Sequence, residues 1–520
     1  MFAHKKNYFD HLLITQETQE PWKIQPLPKR LENRNIDAGD VSPAFIDSLN
    51  KYLSTNPNQL QGIQVDFDDG HCPTIENQLN SWKNIREIVQ SRNLSLCPVM
   101  MLRPRALNMT DHLVNFQDLP MNGGLLDFAI LMYQNGQALA NSGQEVPGDN
   151  EDSTSAGSKQ TADYHRKCDY NYQSRNGPFF YLSKLENAQE AQLWNEIFDW
   201  TETKLELIPG TIKACILIEN IFAAFEMEAM LYNIKDHAIG LNCGMWDYSA
   251  SILANFGHRP EFVLPDRHQY VNIQSKFMDV YYKKVIQICH LHGAKATGGM
   301  AAAIYDVKMI QKVLTSKRIE ISKGVDGFLV FDLKFLPELN KMSKRLGIYD
   351  LRFVKELGNN DKKFRENGSA GKIDESDLLK IPHGKVTRRG LEKNIKVGIL
   401  FIASWMIGQG TFILDGNVED SATAEISRFQ VWQWILHSIQ LDLDDDEDDQ
   451  QSNVVAVGTK IDLAMVKKIS EQITETELEH PQKKLGQDLF IELIQTKTQF
   501  ITTWLNEHPV FRESSIQSVQ

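Results

Sequence analysis

Short apolar runs alternate with longer stretches of helical periodicity through the first two-thirds of the chain, a pattern typical of βα units and a parallel sheet. Eight of these runs are candidate strands, at 35–38, 62–68, 96–103, 179–182, 213–219, 238–243, 294–297 and 327–331. Eight parallel strands with helices between them predict an α/β fold, a closed (β/α)8 TIM barrel, rather than an open doubly wound sheet.

The pattern changes after about residue 337, where apolar residues recur at helical spacing over 394–406, 422–435 and 485–504. We therefore expect an N-terminal extension over 1–33, the barrel over 34–337 and a C-terminal α-helical domain over 338–520. Polar stretches at 141–176, 358–372 and 441–453 are typical of disordered loops, and the last of them is an acidic linker.

Composition narrows the functional classes. The chain has 520 residues, 42% of them hydrophobic and 24% charged, which suffices for a large core and one or two smaller units. Its net charge of -13 argues against a nucleic-acid binder, since phosphate neutralisation requires clustered Lys and Arg. Its apolar runs are too short for a membrane span, and the first residues lack an apolar leader, so we expect a soluble intracellular protein. Six scattered cysteines are expected to be reduced, buried thiols.

Acidic residues end several of the predicted strands, where TIM barrels carry their working groups. Glu219 ends the fifth strand, Asp247 follows the sixth, and Asp66 and Asp68 alternate along the end of the second. Converging carboxylates repel one another unless a cation lies among them, and oxygen ligands suit Mg2+. The pattern predicts Glu219 and Asp247 as metal ligands, with Asp66 and Asp68 holding metal-bound waters. The alternative is that these carboxylates merely cap the helices that follow.

Three further positions carry candidate chemistry. Arg103 ends the third strand, and its guanidinium is expected at the barrel mouth, where it could stabilise an oxyanion. Arg105 is equally well explained by a pair with a surface acid. Gly244 lets the backbone of 244–247 approach an anion, although a simple turn after a strand would explain it too.

The segment from Val418 to Arg428 is typical of a capped helix start. Asp420 or Ser421 is the expected N-cap, and acidic residues lie in the first turn, where the helix dipole favours them. On local sequence alone, capping is the better interpretation of Asp420.

Taken together and in order, these segments resemble malate synthase of the shorter, A-type branch. The motifs that carry the resemblance include Val65-Asp66-Phe67-Asp68-Asp69, Arg103-Pro104-Arg105, Gly177-Pro178-Phe179-Phe180-Tyr181-Leu182, Leu217-Ile218-Glu219, Trp246-Asp247-Tyr248, Gly298-Gly299-Met300-Ala301-Ala302 and Val418 to Arg428. The match covers nearly the whole chain apart from the polar loops and the extreme termini. It implies a (β/α)8 barrel whose mouth is closed by a C-terminal helical domain.

The resemblance also implies an activity, the condensation of acetyl-CoA with glyoxylate and hydrolysis of the thioester to malate and CoA, a step of the glyoxylate and tricarboxylic acid cycles. By resemblance, Asp420 is the general base, Arg103 stabilises the enolate, and Mg2+ binds Glu219 and Asp247. The glyoxylate carboxylate would be held by the backbone of Gly244, Met245, Trp246 and Asp247. No redox cofactor is implied. The family is often peroxisomal, so the expected location is the cytoplasm or, despite the absence of a C-terminal Ser-Lys-Leu, the peroxisome.

Three segments depart from the family pattern. The run 106–111 replaces Gly-Trp-His-Leu-Pro-Glu, the run 328–333 has Leu329 in place of Trp and lacks a Pro and a His, and 411–415 replaces Cys-Val-Pro-Ile-Tyr. By resemblance all three lie on the acyl-CoA side, so we expect intact glyoxylate and Mg2+ binding but altered acyl-CoA affinity or chain-length preference. Two alternatives remain: a related Mg2+-dependent lyase or condensing enzyme for another acyl-CoA or 2-oxo acid, and a catalytically impaired relative that acts as a binding protein.

Overall fold

The computed structural model describes residues 21–142, 175–346, 373–443, 458–496 and 500–512. The stretches 141–176, 358–372 and 441–453, for which disordered loops were expected, fall wholly or mostly outside these ranges. Five cysteines lie within them, and all five are free, buried thiols as expected: Cys72, Cys97, Cys215, Cys243 and Cys289.

The barrel strands are Ile36–Val41 (β1), Gly62–Asp66 (β2), Val99–Arg103 (β3), Phe179–Leu182 (β6), Lys213–Ile218 (β7), Ala238–Cys243 (β8), Lys295–Ala301 (β9) and Gly327–Val330 (β10). They close in the order β1, β10, β9, β8, β7, β6, β3, β2. All eight neighbouring pairs are parallel. The predicted eight-stranded (β/α)8 barrel is therefore confirmed.

Apolar runs form most of these strands, such as β3, β6 and β7, because a parallel barrel strand is buried on both faces. Every residue of β7 and β8 is buried. The prediction that Asp66 and Asp68 lie on one strand is wrong, since β2 ends at Asp66. The Asp66 carboxylate accepts hydrogen bonds from the backbone N–H groups of Asp68 and Gly70, both at 2.8 Å, and so turns the chain out of the strand.

Helices connect the strands and pack around them: Lys29–Glu32 (α1), Ile46–Leu53 (α2), Ile75–Ser91 (α3), Gly123–Ala140 (α4), Ala188–Lys204 (α5), Ile221–Asn233 (α6), Met245–Phe256 (α7), Arg267–Tyr270 (α8), Lys276–Leu291 (α9), Val307–Lys323 (α10) and Leu336–Leu346 (α11). Short 3-10 turns lie at Leu94–Leu96, Pro260–Phe262, Leu333–Phe335 and Glu375–Leu379. Side chains cap the starts of many helices, as Thr74 does for α3 and Asn220 for α6, satisfying first-turn N–H groups.

Two small antiparallel hairpins were not predicted. Thr110–Phe116 (β4) pairs with Leu119–Asn122 (β5), and Phe412–Leu414 (β11) pairs with Asn417–Glu419 (β12). Both hairpins include or adjoin segments that depart from the family pattern. The second hairpin is joined to the barrel, because Val418 N–H donates to the carbonyl of Ala302 at 2.8 Å.

The remaining helices form a second core beside the barrel: Arg388–Trp405 (α12), Ser421–Leu436 (α13), Leu463–Thr476 (α14), Lys483–Leu493 (α15) and Ile501–Glu507 (α16). Trp405, Trp434 and Phe490 are buried in it. Helix α13 packs against both α12 and α7, so its first residues lie over the barrel mouth. Of the helices that the structure describes, none combines the length and apolarity needed to cross a membrane.

Candidate active site

Five buried carboxylates meet at the carboxyl ends of β2, β7 and β8, and we call them the carboxylate cluster: Asp66, Asp68, Asp69, Glu219 and Asp247. One oxygen from each of Asp69, Glu219 and Asp247 lies within 4.8 Å of the others. The sequence placed four of the five at the mouth. Asp69, which follows Asp68 in the same turn, was missed as a site residue.

Arg103 ends β3 and points into the carboxylate cluster. Its Nη1 lies 3.4 Å from Asp66 Oδ2. Its Nη2 lies 3.6 Å from Asp68 Oδ2 and 3.4 Å from Glu219 Oε1, and it also contacts Asp69. The guanidinium therefore links carboxylates from two different strands, at the barrel mouth.

Lys184 is a second cation in the cluster, and sequence reasoning missed it. Its Nζ lies 2.7 Å from Asp69 Oδ1, 3.5 Å from Asp68 Oδ2 and 3.7 Å from Asp247 Oδ2. Its backbone N–H donates to Glu219 Oε2 at 2.9 Å. The signal was available, because Lys184 is a polar residue just past the apolar strand β6, the same criterion that picked out Glu219.

Burial governs the electrostatics of these acids. It raises the pKa of Glu219, raises that of Asp247 well above its ordinary value, and raises that of Asp66 to about 6. Burial opposes ionisation of Asp69 as well, but Arg103 and Lys184 outweigh it and lower the pKa of Asp69. Two cationic side chains do not neutralise five carboxylates, and this excess favours bound cationic charge.

The donor set fits a hard divalent cation. Asp69, Glu219 and Asp247 offer only oxygen ligands, and all three are buried. Asp68 Oδ1 is buried without a hydrogen-bond partner, so it can accept from a water or another donor at the site. Oxygen ligands without sulfur or imidazole are typical of Mg2+ sites rather than zinc sites.

Gly244 is required for a reason that the sequence did not reveal. A Cβ at this position would lie 2.5 Å from Cγ of Glu219, so any side chain would displace that carboxylate. Helix α7 begins directly after it, with Met245, Trp246 and Asp247 in the first turn and no side-chain cap. The first-turn N–H groups and the helix dipole make this end suited to an anion.

Asp420 is the N-cap of α13, as the capping interpretation predicted, but the acidic residues expected in the first turn are not there. Its Oδ1 accepts from the N–H of Thr423 at 2.9 Å, and Thr423 Oγ1 accepts from the N–H of Asp420 at 2.9 Å. The next residue, Ser421, hydrogen bonds to Asp69 in the carboxylate cluster. Asp420 is therefore both a cap and a buried carboxylate beside the cluster, and burial raises its pKa.

Arg105 lies apart from the cluster. Its Nε and Nη2 contact Asp127 at 2.8 and 3.0 Å, and its Nη1 contacts Asp111 at 2.7 Å. The pairing predicted for Arg105 is present, but the prediction of a surface acid is wrong, because both acids are buried. This ion pair supports the start of β4.

A cavity of about 250 Å³ opens beside the carboxylate cluster. Lys184, Glu219 and Asp247 form its charged side, and its other lining residues are Asn220, Ala250, Ser251, Ala254, Asn255, Glu425, Phe429 and Phe500. Leu329 is buried on β10. A Cβ added to Gly39 of β1 would lie 3.3 Å from Leu329 Cδ2 and 2.5 Å from Met300 Sδ, so both side chains pack against β1 at Gly39.

Fold and site together define a barrel enzyme with an oxygen-lined, acidic centre at the carboxyl ends of its strands. The family described as "Malate synthase, TIM barrel domain" matches residues 161–342, and "Malate synthase, C-terminal" matches residues 385–503. The chain belongs to the malate synthase family, and it is an acyltransferase of that family.

Individual relatives agree. Malate synthase of Myxococcus xanthus is 33% identical over 442 residues, covering 81% of this chain and 72% of the relative. Malate synthase of Dictyostelium discoideum is 30% identical, over 82% of this chain and 74% of the relative. A glyoxysomal malate synthase of Gossypium hirsutum is 29% identical, over 92% of this chain and 79% of the relative.

Proposed function

We propose that this chain condenses acetyl-CoA with glyoxylate to malate at the carboxylate cluster, with Asp420 as general base, Arg103 as enolate stabiliser and Mg2+ as the metal. A C-terminal helical domain over about 338–520 would carry the base to the barrel. The contact between Ser421 and Asp69 carries the proposal, because it joins the start of α13 to the acids of the barrel mouth.

The first step is removal of a proton from the acetyl methyl group by the Asp420 carboxylate. The electrons of the broken C–H bond form the enolate, and the guanidinium of Arg103 would stabilise the enolate oxygen. The enolate carbon then bonds to the aldehyde carbon of glyoxylate as the C=O π bond breaks, and the proton that Asp420 removed is returned to the aldehyde oxygen, which becomes the malate hydroxyl. Water finally cleaves the C–S bond, giving malate and CoA thiol.

Glyoxylate is held at the start of α7 in this proposal. The first-turn N–H groups of Met245, Trp246 and Asp247 would bind its carboxylate, with Gly244 leaving room for Glu219. Glu219 and Asp247 would hold Mg2+, with Asp66 and Asp68 behind them. Bound Mg2+ supplies Lewis-acid polarisation of the aldehyde.

The acyl-CoA side is where we infer a difference from the family. Leu329 stands where the family has Trp, and segments 106–111 and 411–415 adjoin or enter hairpins. These changes alter the surface near the acyl group and leave the carboxylate cluster in place. We infer a changed affinity for acyl-CoA or a changed chain-length preference.

The test mixes purified protein with Mg2+, glyoxylate and a panel of acyl-CoAs, and follows thiol release. Asp420→Asn is expected to abolish release while Mg2+ and glyoxylate binding persist in calorimetry. Asp462→Asn is the matched control, because Asp462 caps α14 in the same way, by accepting from Met465 N–H at 2.7 Å. Asn caps a helix about as well as Asp, so both variants should fold.

No glyoxylate-dependent thiol release from any acyl-CoA would overturn the proposal. Loss of glyoxylate binding in Asp420→Asn would instead make Asp420 structural.

A further inference from the structure

The hydroxyl of Tyr281 joins the ends of two neighbouring barrel strands beside the carboxylate cluster. Tyr281 lies on α9, and its side chain is buried. Its hydroxyl donates a hydrogen bond to the carbonyl of Ile218, the last residue of β7. The same hydroxyl accepts from the N–H of Gly244, the first residue after β8, over a distance of 2.9 Å. One side chain from a surrounding helix therefore bridges the two strand ends.

Both bonded backbone groups adjoin residues of the proposed site. Ile218 directly precedes Glu219, and Gly244 directly precedes Met245, where α7 begins. The two strand ends are also in close contact, because a Cβ on Gly244 would lie 2.5 Å from Glu219 Cγ. A shift of Gly244 relative to β7 would therefore change the distance between the Glu219 carboxylate and the first-turn N–H groups of α7.

The chemistry of the three groups fixes the direction of both hydrogen bonds. A carbonyl only accepts and a backbone N–H only donates, so the single hydroxyl proton goes to Ile218 while a lone pair faces Gly244. Burial raises the pKa of Tyr281 well above its ordinary value, so the hydroxyl keeps this proton. The N–H of Gly244 is thus bonded within the protein, which leaves those of 245–247 for an anion at the start of α7.

Packing holds the tyrosine ring as firmly as its hydroxyl is held. The ring stacks on that of Tyr248 in α7, with centroids 4.3 Å apart and planes 14° apart. It meets the ring of Tyr282 edge to face, at 5.6 Å and 88°. A side chain that its neighbours already fix places its hydroxyl at little further cost in rotamer freedom, as a positioning contact requires.

We propose that Tyr281 is a positioning residue for glyoxylate, whose hydroxyl holds Gly244 against the end of β7 so that the N–H groups of 245–247 face a carboxylate bound beside Glu219. The inference rests on the proposed function, since it requires glyoxylate to bind at the start of α7. Tyr281 acts through the backbone of Ile218 and Gly244 and does not itself contact the substrate.

The test is Tyr281→Phe, which keeps the stacked ring and removes the hydroxyl. The turn at Gly244 is then no longer held before glyoxylate binds. The Kd for glyoxylate, measured by calorimetry in the presence of Mg2+, should rise roughly three- to tenfold.

Steady-state kinetics supply the readout that a merely structural role would not give. In Tyr281→Phe the KM for glyoxylate should rise by the same factor as the Kd. Bound glyoxylate restores the turn, so kcat at saturating glyoxylate should stay within roughly twofold of the wild type. The KM for acetyl-CoA should also stay within roughly twofold, because the acyl side does not include this turn.

Tyr248→Phe is the matched control. Tyr248 is the stacking partner of Tyr281, and its buried hydroxyl donates to a backbone carbonyl too, that of Leu378 at 2.8 Å, in a 3-10 turn rather than at a strand end. Each variant loses a buried hydroxyl, so both should melt lower by about the same few degrees. Only Tyr281→Phe should bind glyoxylate more weakly.

Wild-type glyoxylate affinity in Tyr281→Phe would overturn the inference. An equal loss of glyoxylate affinity in Tyr248→Phe, or a matching rise in the KM for acetyl-CoA, would overturn it as well, because either result means general loosening. A melting temperature of Tyr281→Phe far below that of Tyr248→Phe would make Tyr281 structural, with the same consequence. If the wild-type protein neither binds glyoxylate nor releases thiol, the proposed function itself fails, which is a separate result.

Discussion

The two sides of the proposed active site are built from different kinds of structure. On the metal side, Glu219 directly follows β7, and Asp247 lies in the first turn of α7, which begins shortly after β8. Arg103 and Lys184 bind these acids and their neighbours with several ion pairs. On the proposed acyl side lie Leu329 and two hairpins with solvent-exposed residues. Phe116, Leu119 and Ile413 are 64%, 70% and 63% exposed.

This difference accounts for the departures from the family in the two hairpins, whereas Leu329 lies buried in the barrel strand β10. A carboxylate at a strand end cannot move without moving the barrel, and each ion pair around it would lose a partner. The exposed residues of a surface hairpin can change at little cost, because they pack against few other groups. Substrate preference can therefore vary on the acyl side while the chemistry stays on the metal side.

The largest expected effect comes from breaking the metal side. Glu219→Gln and Asp247→Asn each remove a ligand charge, so kcat/KM should fall at least roughly 100-fold and Mg2+ should bind more weakly. Asp127→Asn is the control, because it removes a buried carboxylate that pairs with Arg105 on the acyl side. Calorimetric titration with Mg2+ should find wild-type affinity in that variant. Wild-type Mg2+ affinity in Glu219→Gln would place the metal elsewhere.

The next effect is on stability. Lys184 Nζ lies near Asp68, Asp69 and Asp247, so Lys184→Met leaves buried carboxylates without this partner and should lower the free energy of unfolding by about 3–5 kcal/mol. Arg105→Met, which breaks the buried acyl-side pair, should cost a similar amount. Urea unfolding with and without Mg2+ distinguishes them: Mg2+ should stabilise Arg105→Met as much as it does the wild type, and should narrow the difference from the wild type only in Lys184→Met. Equal recovery in both variants would contradict the division into two sides.

The pH dependence of metal binding should be smaller but distinctive. Burial raises the pKa of Asp66 to about 6 and also raises those of Glu219 and Asp247. Protonated Asp66 contributes to the free energy of unfolding. This contribution is fully present when the pH is below the ordinary carboxyl pKa of about 4, and it is lost as the pH rises through about 6. Mg2+ offsets the resulting repulsion, so it should raise the melting temperature at least roughly twice as much at pH 8 as at pH 5. An equal shift at both values would argue against a carboxylate site.

The barrel was predictable from sequence because most of its strands, which are buried on both faces, appear as apolar runs. The end of β2 was misplaced because the Asp66 side chain ends the strand, a three-dimensional event that hydropathy does not record. Strand-end position identified Glu219 and Asp247 as candidates. Asp69 was missed as a site residue, and its contact with Ser421 depends on how the C-terminal helices pack.

The smallest expected effect is a change in acyl-CoA preference alone. Leu329→Ala removes a buried side chain beside Met300 and the end of β1, so kcat/KM for propionyl-CoA relative to acetyl-CoA should rise roughly three- to tenfold. The KM for glyoxylate should stay unchanged, because the carboxylate cluster is untouched. Val330→Ala is the control, since successive residues of a strand point to opposite faces, and it should lose stability without changing selectivity. If Leu329→Ala changes the KM for glyoxylate as much as the acyl-CoA preference, the two sides are coupled through β10 and do not vary independently.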